Sequence, residues 1–400
     1  MAGKPGLFST IPRNVRSLVL LLTPITVAVG YFTIVVAAHL PNIGVGSGEV
    51  GLLLGTMGLS LVASAVPMGL LSDRIERKRI LVPAGIVFPF TMLAFALTTN
   101  LAVLLAASAM AGVAEGAFLT TWNALIADQT TTENRNAAFS LSFIVFTLGS
   151  GLGSALPLAF PPIGAAGGWD SRSVHSGAMA VLALLSFTSP AGLFLLLRNY
   201  RQPPSPPKAL RPRGNLRPLL KFSGLNGLIG LGAGFIIPLV PTWLLLKFGV
   251  PDTYSGPLLA VAGLTMGLAA LTSARLAKRY GQIPAITMTQ GLSTVLMLSL
   301  VAMPTAALAG IVYIARAALM NMGSPLMDSF LMGIIPREQR GLASAVNSLV
   351  WRLPNSITTI IGGMILATGD YNLPFFLATA FYGVAVIGIY ATFRNVKPTG

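Results

Sequence analysis

Long hydrophobic runs, separated by short clusters of glycine, proline and charged residues, dominate this chain from end to end. A helix needs about 20 mostly apolar residues to cross a hydrocarbon core roughly 30 Å thick. Twelve runs are long enough, and we predict a retained membrane-spanning helix from each, since no small-residue cleavage site follows the first. The runs lie at 18–40, 49–72, 80–98, 101–127, 137–160, 175–197, 219–246, 254–273, 283–303, 305–335, 341–367 and 371–393.

The composition points to lipid as the surrounding solvent. Hydrophobic residues make up 54% of the chain and charged residues only 9%, whereas a soluble globular domain has about a quarter of its residues charged. Cysteine is absent, which excludes thiol catalysis and cysteine metal sites. No nucleophile–base pair, His/Asp metal cluster or phosphate-binding loop is recognisable either, so the sequence predicts no enzyme, no cofactor and no metal site.

The net charge of +15 becomes a topology signal once the basic residues are sorted by loop. With the N-terminus inside, 22 of the 26 lysines and arginines fall in cytoplasmic segments and only Arg172 and Lys247 fall outside. This bias follows the positive-inside rule, so both termini are expected in the cytoplasm. We predict a multi-pass protein of the inner or plasma membrane, with the lipid bilayer rather than nucleic acid as its partner. His39 and His175 are expected at the outer membrane interface.

A Pro-rich basic stretch divides the spans into six and six. Residues 199–218 contain the run Pro203-Pro204-Ser205-Pro206-Pro207, a composition typical of a semi-rigid linker. We therefore predict an N-terminal six-helix bundle at 1–198, a cytoplasmic linker at 199–218 and a C-terminal six-helix bundle at 219–400.

The two halves also repeat each other. The motif at 69–79 recurs at 270–280, and the motif at 133–138 recurs at 338–343, with offsets of 201 and 205 residues. Parallel repeats of six spans are found in transporters whose substrate path lies between the halves.

The loop after the second span resembles the signature loop of the major facilitator superfamily, Gly-x-x-x-Asp-Arg-x-Gly-Arg-Arg/Lys. The matching residues are Gly69, Asp73, Arg74, Arg77 and Lys78. Glu76 stands where that family usually has glycine, so the turn has to form without a residue that readily adopts positive φ. The resemblance covers essentially the whole chain. It implies an all-α integral membrane fold of two pseudo-symmetric bundles and transport by alternating access.

The same resemblance implies a cytoplasmic gate. Asp73 would face the positive N-terminus of the eleventh span near Gly341, and Arg77 would pair with an acid at the end of the fourth span, for which Asp128 is the candidate. Alternatively, these charges form a solvated cluster that only orients the chain in the membrane.

Three ionisable residues, Glu115, Arg316 and Arg352, lie deep within spans, where charge is costly and usually faces a cavity or a partner. A carboxyl group in a low dielectric has a raised pKa, so Glu115 is the candidate proton-coupling residue. The arginines are candidate substrate contacts, together with Asn123, Asn321 and Tyr31. The alternative is a structural salt bridge between Glu115 and one of the arginines.

These features predict a monomeric secondary transporter of a small organic solute with the proton as coupling ion. Efflux of amphipathic, drug-like compounds is the first expectation. Against it, the stretch 149–157 lacks the Gly-Pro pair that exporters of this family carry in span five, and span one lacks an acidic residue. The alternative is proton-coupled or exchange transport of organic anions bound by Arg316 and Arg352. A channel or receptor is a remote alternative.

Overall fold

The computed structural model describes residues 10–131, 133–202, 217–336 and 339–396, and regular structure within these ranges is entirely helical. Within these ranges twelve helices are long and apolar enough to cross a membrane, as the hydrophobic runs predict. They are α1 Arg13–Asn42, α2 Ser47–Arg74, α3 Lys78–Leu97, α4 Leu101–Asp128, α5 Arg135–Gly167, α6 Ser171–Leu196, α7 Arg217–Phe248, α8 Asp252–Tyr280, α9 Gln282–Ala302, α10 Ala306–Ile334, α11 Leu342–Ala367 and α12 Leu373–Phe393.

As in α5, the C-terminal end of α8 lies seven residues beyond the predicted end. Its apolar run stops at Ser273, but the helix continues to Tyr280. The added turns carry Lys278 and Arg279, and positive charge near a helix C-terminus interacts favourably with the helix dipole. Hydropathy marks the end of the apolar stretch, whereas the helix itself ends where Gly281 adopts a φ of 88°.

Two of the helices change their winding at corresponding places. In α1 a π-helical segment spans Val35–His39, and in α7 a 3₁₀ segment spans Ile237–Leu239, 202 residues later by first residue. The second segment carries Pro238, whose ring removes a backbone donor and disturbs regular α-helical winding. This spacing is close to the offsets of 201 and 205 residues between the loop motifs, although one segment is wound more loosely and the other more tightly than an α-helix.

The chain divides into two compact units. Unit 1 contains residues 1–36 and 59–206, and unit 2 contains residues 37–58 and 207–400. The predicted boundaries did not place 37–58 with the second half. The reason is local packing in unit 2, because a Cβ built on Gly51 of α2 would lie 2.7 Å from the Thr359 carbonyl oxygen of α11.

Within unit 1, α1 and α5 approach each other through glycines. A Cβ on Gly30 would overlap the Ser150 carbonyl group, and a Cβ on Gly153 would overlap the Val27 carbonyl oxygen. The Ser154 hydroxyl donates a hydrogen bond to the Gly30 carbonyl oxygen at 3.1 Å. Such small-residue contacts are the usual means of helix association in lipid, where no hydrophobic effect drives helices together.

Unit 2 uses the same device between α7 and α11. A Cβ on Gly230 would overlap the Trp351 carbonyl oxygen, and a Cβ on Gly362 would overlap the Phe235 carbonyl oxygen. Side chains of α11 then bond to the backbone of α7: Asn355 Nδ2 donates to Gly230 O at 3.1 Å and Thr358 Oγ1 donates to Leu231 O at 2.8 Å.

The α1–α5 contact predicts a position-specific effect on α5. Gly153→Ala places a methyl group against backbone atoms of α1 and should destabilise the protein by about 1–3 kcal/mol, the usual cost of overpacking. Gly151→Ala is the matched control, because a Cβ there has nothing within 4 Å and alanine is the better helix former. Thermal unfolding in detergent should show a lower Tm for Gly153→Ala alone. Equal Tm values for the two variants would contradict this account of the interface.

Candidate functional site

The turn between α2 and α3 forms although Glu76 occupies the position where the resembled superfamily usually has glycine. The Arg79 amide donates to the Glu76 carbonyl oxygen at 2.9 Å, and the Ile80 amide donates to Arg77 O at 3.1 Å. Among the described residues no non-glycine has a positive φ, so Glu76 fits the turn without backbone strain. Its carboxylate pairs with Lys78 Nζ at 3.3 Å and Arg79 Nε at 3.4 Å.

Arg77 and Asp128 are in contact within unit 1. Arg77 Nη2 lies 2.9 Å from Asp128 Oδ2, and the two side chains are only 4% and 18% exposed. Asp128 is the last residue of α4 and Arg77 directly precedes α3, so the ion pair joins the ends of two spans. Burial keeps water from screening this pair, unlike the pair between Glu76 and Arg79.

Two residues that follow α6, neither of which was predicted from the sequence, bond to this ion pair and to the end of α2. The Tyr200 hydroxyl donates a hydrogen bond to Asp128 Oδ2 at 2.7 Å, and Gln202 Nε2 donates to the Ser72 carbonyl oxygen at 2.9 Å. Burial, together with the hydrogen bond to Asp128, raises the pKa of Tyr200, so its hydroxyl stays protonated and acts as the donor. The available signal was a single tyrosine in an otherwise polar stretch after α6.

The other residues of the signature loop differ in exposure. Gly69 and Asp73 are half-buried, whereas Arg74 is exposed. A Cβ on Gly69 would come within 3.9 Å of Thr120 Cβ on α4, an ordinary contact distance. Space alone therefore does not require glycine at this position.

The helix α4 presents two exposed faces of opposite character. One face is wholly apolar and consists of Ala102, Val103, Ala106, Met110 and Val113. The other carries Glu115, Leu119 and Asn123, spaced four residues apart, and all three are exposed. A carboxylate facing lipid is costly, so the apolar face suits lipid and the second face suits an aqueous path. We call Glu115, Leu119 and Asn123 the polar stripe.

Arg316 belongs to α10 in unit 2, and its side chain is directed toward α9. Its side chain is 3% exposed, its Nη1 lies 4.0 Å from Met297 Sδ, and its guanidinium carbon is 5.7 Å from the Tyr313 ring centroid. Its Nε is buried and has no hydrogen-bond partner, and no carboxylate pairs with Arg316 among the described residues. The cation is therefore held by a sulfur atom and a ring rather than by an acid.

The remaining candidates in unit 2 do not converge on Arg316. Asn321 Nδ2 contacts Met266 Sδ of α8 at 2.7 Å and donates to Ala317 O at 2.9 Å, on a different face of α10. Arg352 is half-buried and lies one turn before Ser356 on α11. Within the described part of the chain, no hydrogen bond or ion pair joins these three residues.

Tyr31 and the two histidines are buried. Tyr31 has no exposed surface, and its hydroxyl lies 2.8 Å from His175 Nδ1. His39 and His175 are each 1% exposed, so both side chains are enclosed by protein near the ends of α1 and α6. For His175 the reason is visible, because it stacks on Tyr31 and meets the Phe160 ring edge-on. Tyr31 offers no surface to a solute in this conformation.

Comparison with known proteins decides the family. The sequence profile of the Major Facilitator Superfamily matches residues 18–226 and 222–400, which together cover nearly the whole chain. The chain belongs to this superfamily. Twelve membrane helices and this family make it a multi-pass membrane transporter rather than an enzyme.

Solved superfamily structures share the fold at low sequence identity. A bacterial homologue of the human lysosomal transporter Spinster has a TM-score of 0.75 and 14% identity, with 95% of this chain and 96% of the other covered. A POT family peptide transporter gives a TM-score of 0.75 and 15% identity, covering 96% and 98%. For the D-xylose–proton symporter the TM-score is 0.72 and the identity 14%, covering 96% and 97%. At such identities the likeness shows the fold alone.

One curated relative matches over a shorter stretch. A gallate transporter of Pseudomonas putida is 33% identical over 131 residues. The match includes 33% of this chain and 28% of the relative, so the chain aligns with little more than a quarter of that protein.

The burial of the Arg77–Asp128 pair predicts a large effect of removing the acid. Asp128→Asn leaves the Arg77 cation buried and unpaired, which typically costs about 3–5 kcal/mol. Glu76→Gln in the same loop is the control, because its partner Arg79 is 70% exposed and exposed pairs contribute about 0–1 kcal/mol. Denaturation in detergent should show a larger loss of stability for Asp128→Asn than for Glu76→Gln. An Asp128→Asn protein as stable as Glu76→Gln would show that burial does not strengthen the pair.

Proposed function

We propose that this superfamily transporter moves a small organic anion by alternating access and couples the movement to a proton at Glu115. The polar stripe is the observation that carries the proposal. It places the only acid that the sequence puts deep in a span on an exposed face of α4, opposite a face made only of apolar residues.

The proton-coupling role follows from where Glu115 lies. Its carboxyl group is exposed on α4, so it can exchange protons with water during the transport cycle. Asn123 lies two turns further along the same stripe, and its amide can hydrogen-bond a solute without competing for the proton. The stripe therefore combines a titratable group with a neutral polar contact.

Arg316 supports an anion as the solute. Burying a cation away from water costs several kcal/mol unless a negative charge compensates it, and the described residues supply no acid at this guanidinium. A carboxylate or similar anion would provide the missing charge and accept hydrogen bonds from the unused nitrogens. The partial likeness to a gallate transporter is consistent with this class of solute. Arg352 is a second candidate contact.

Efflux of amphipathic compounds is the second candidate function. Its sequence support was already weakened by the missing Gly-Pro pair in α5, and no contact of the described residues favours a drug-like solute over an anion. An amphipathic dye is therefore the competing solute in the proteoliposome transport assay.

The gate proposal concerns the Arg77–Asp128 pair. With the termini in the cytoplasm, as the distribution of basic residues predicts, this pair lies at the cytoplasmic ends of its spans. We propose that it holds that end of unit 1 closed and yields when the transporter changes state, with Gly69, Asp73, Arg74 and Lys78 completing the loop.

The coupling proposal predicts a selective defect in Glu115→Gln. In proteoliposomes with an imposed pH gradient, the variant should lose uphill accumulation of the anion but retain exchange down a concentration gradient, because glutamine cannot carry a proton. Glu49→Gln is the matched control, since Glu49 caps its own helix by accepting a hydrogen bond from the Gly46 amide at 2.9 Å. Uphill accumulation by Glu115→Gln equal to that of the parent would remove Glu115 as the coupling residue.

The anion proposal predicts a binding defect in Arg316→Gln. With hydroxybenzoates and aliphatic carboxylates as solutes, the KM should rise about tenfold to a hundredfold, the effect of losing a charge-assisted hydrogen bond. The Tm should not fall, because the variant removes a buried charge that has no acid partner. Arg172→Gln, at an exposed arginine, is the control. An unchanged KM for every anion, or transport of the amphipathic dye alone, would exclude the anion proposal.

A further inference from the structure

The first residues after α6 fold back onto the signature loop of unit 1. Tyr200 bonds to Asp128 at the end of α4, and Gln202 bonds to Ser72 in the last turn of α2. Lys78 Nζ, at the start of α3, donates to the Arg198 carbonyl oxygen at 3.2 Å. Residues 198–202 thus contact three different spans, and we call them the docked segment.

Tyr200 and Arg77 share one acceptor atom. Asp128 Oδ2 receives the Tyr200 hydroxyl at 2.7 Å and lies 2.9 Å from Arg77 Nη2. Two donors on one oxygen fix the carboxylate in position more firmly than one donor does, since each bond restricts the rotation of the side chain. The other two nitrogens of the Arg77 guanidinium, Nε and Nη1, are buried without a hydrogen-bond partner. Asp128 is therefore the only acceptor that the described residues give this side chain.

Gln202 makes the second contact of the docked segment. Its Nε2 bonds to a main-chain oxygen at Ser72, and the Ser72 side chain is itself turned inward to the Gly69 carbonyl oxygen at 2.8 Å. Ser72 is 2% exposed, although it lies next to the charged loop. The docked segment thus adjoins a site that should gain access to solvent if the segment lifted away.

We infer that Tyr200 is a positioning residue of the gate: it fixes Asp128 against Arg77, so the docking of residues 198–202 sets how readily the signature loop opens. The inference rests on the proposed gate. Opening the Arg77–Asp128 pair then requires the carboxylate to move away from Tyr200 as well, or the docked segment to move with it. Tyr200 acts through Asp128 and touches no solute.

Because the chain contains no cysteine, one introduced cysteine can report how readily the docked segment moves away. In a Ser72→Cys background, the purified full-length protein in detergent is treated with a hydrophilic maleimide, without solute and without a pH gradient. Tyr200→Phe keeps the ring and removes only the hydroxyl, and we expect about tenfold faster labelling, as for one hydrogen bond to a charged acceptor. Gln202→Ala should accelerate labelling in the same direction. Tyr280→Phe is the matched control, because its side chain is 43% exposed.

A double-variant comparison separates positioning from simple packing. In an Asp128→Asn background, Tyr200→Phe should add little further labelling, because its acceptor is already altered. The inference would be overturned if Tyr200→Phe labelled at the same rate as the Tyr280→Phe control. It would also be overturned if the effects of Tyr200→Phe and Asp128→Asn simply added in the double variant. Labelling needs no transport, so a failure of the Glu115 and Arg316 predictions would leave this result standing.

Discussion

The whole structure depends on the backbone in lipid, where no water is present to bond its amide and carbonyl groups. Helices solve this requirement within each segment, but they leave no hydrophobic driving force between segments. Close approach of backbones then becomes the main means of association. In unit 1 the approach occurs at Gly30 and Gly153, and in unit 2 at Gly230 and Gly362. Because α1–α5 and α7–α11 are equivalent pairs of the repeat, one packing device serves both halves.

The same low dielectric makes a charge within or next to the spans costly, so each such charge needs a compensating environment. Three solutions are visible. Arg77 is buried but paired with Asp128, Glu115 is placed on an exposed polar stripe, and Arg316 is buried against Met297 and Tyr313. These solutions correspond to a gate, a proton site and an anion contact in the proposed mechanism. Each assignment follows from how the charge is accommodated rather than from the residue type alone.

Sequence reasoning reached part of this site. The Arg77–Asp128 contact was anticipated because the superfamily resemblance supplied both positions. Tyr200 was not anticipated, because it lies 72 residues from Asp128 in a stretch whose composition indicated only a linker. Grouping Arg316, Arg352 and Asn321 as one substrate site relied on depth in the membrane. Depth gives a residue's height along a helix and leaves its direction around the helix undetermined.

The sequence alone determined the number of spans, their approximate limits, the repeat and the family, because each depends on local hydropathy or on short motifs. It could not determine that residues 37–58 join the second unit, that Tyr31 and His175 are buried together, or that the Arg316 side chain is directed toward α9. Those features depend on which faces of the helices meet. In a chain that is apolar on nearly every side, periodicity does not mark those faces, and only tertiary packing selects them.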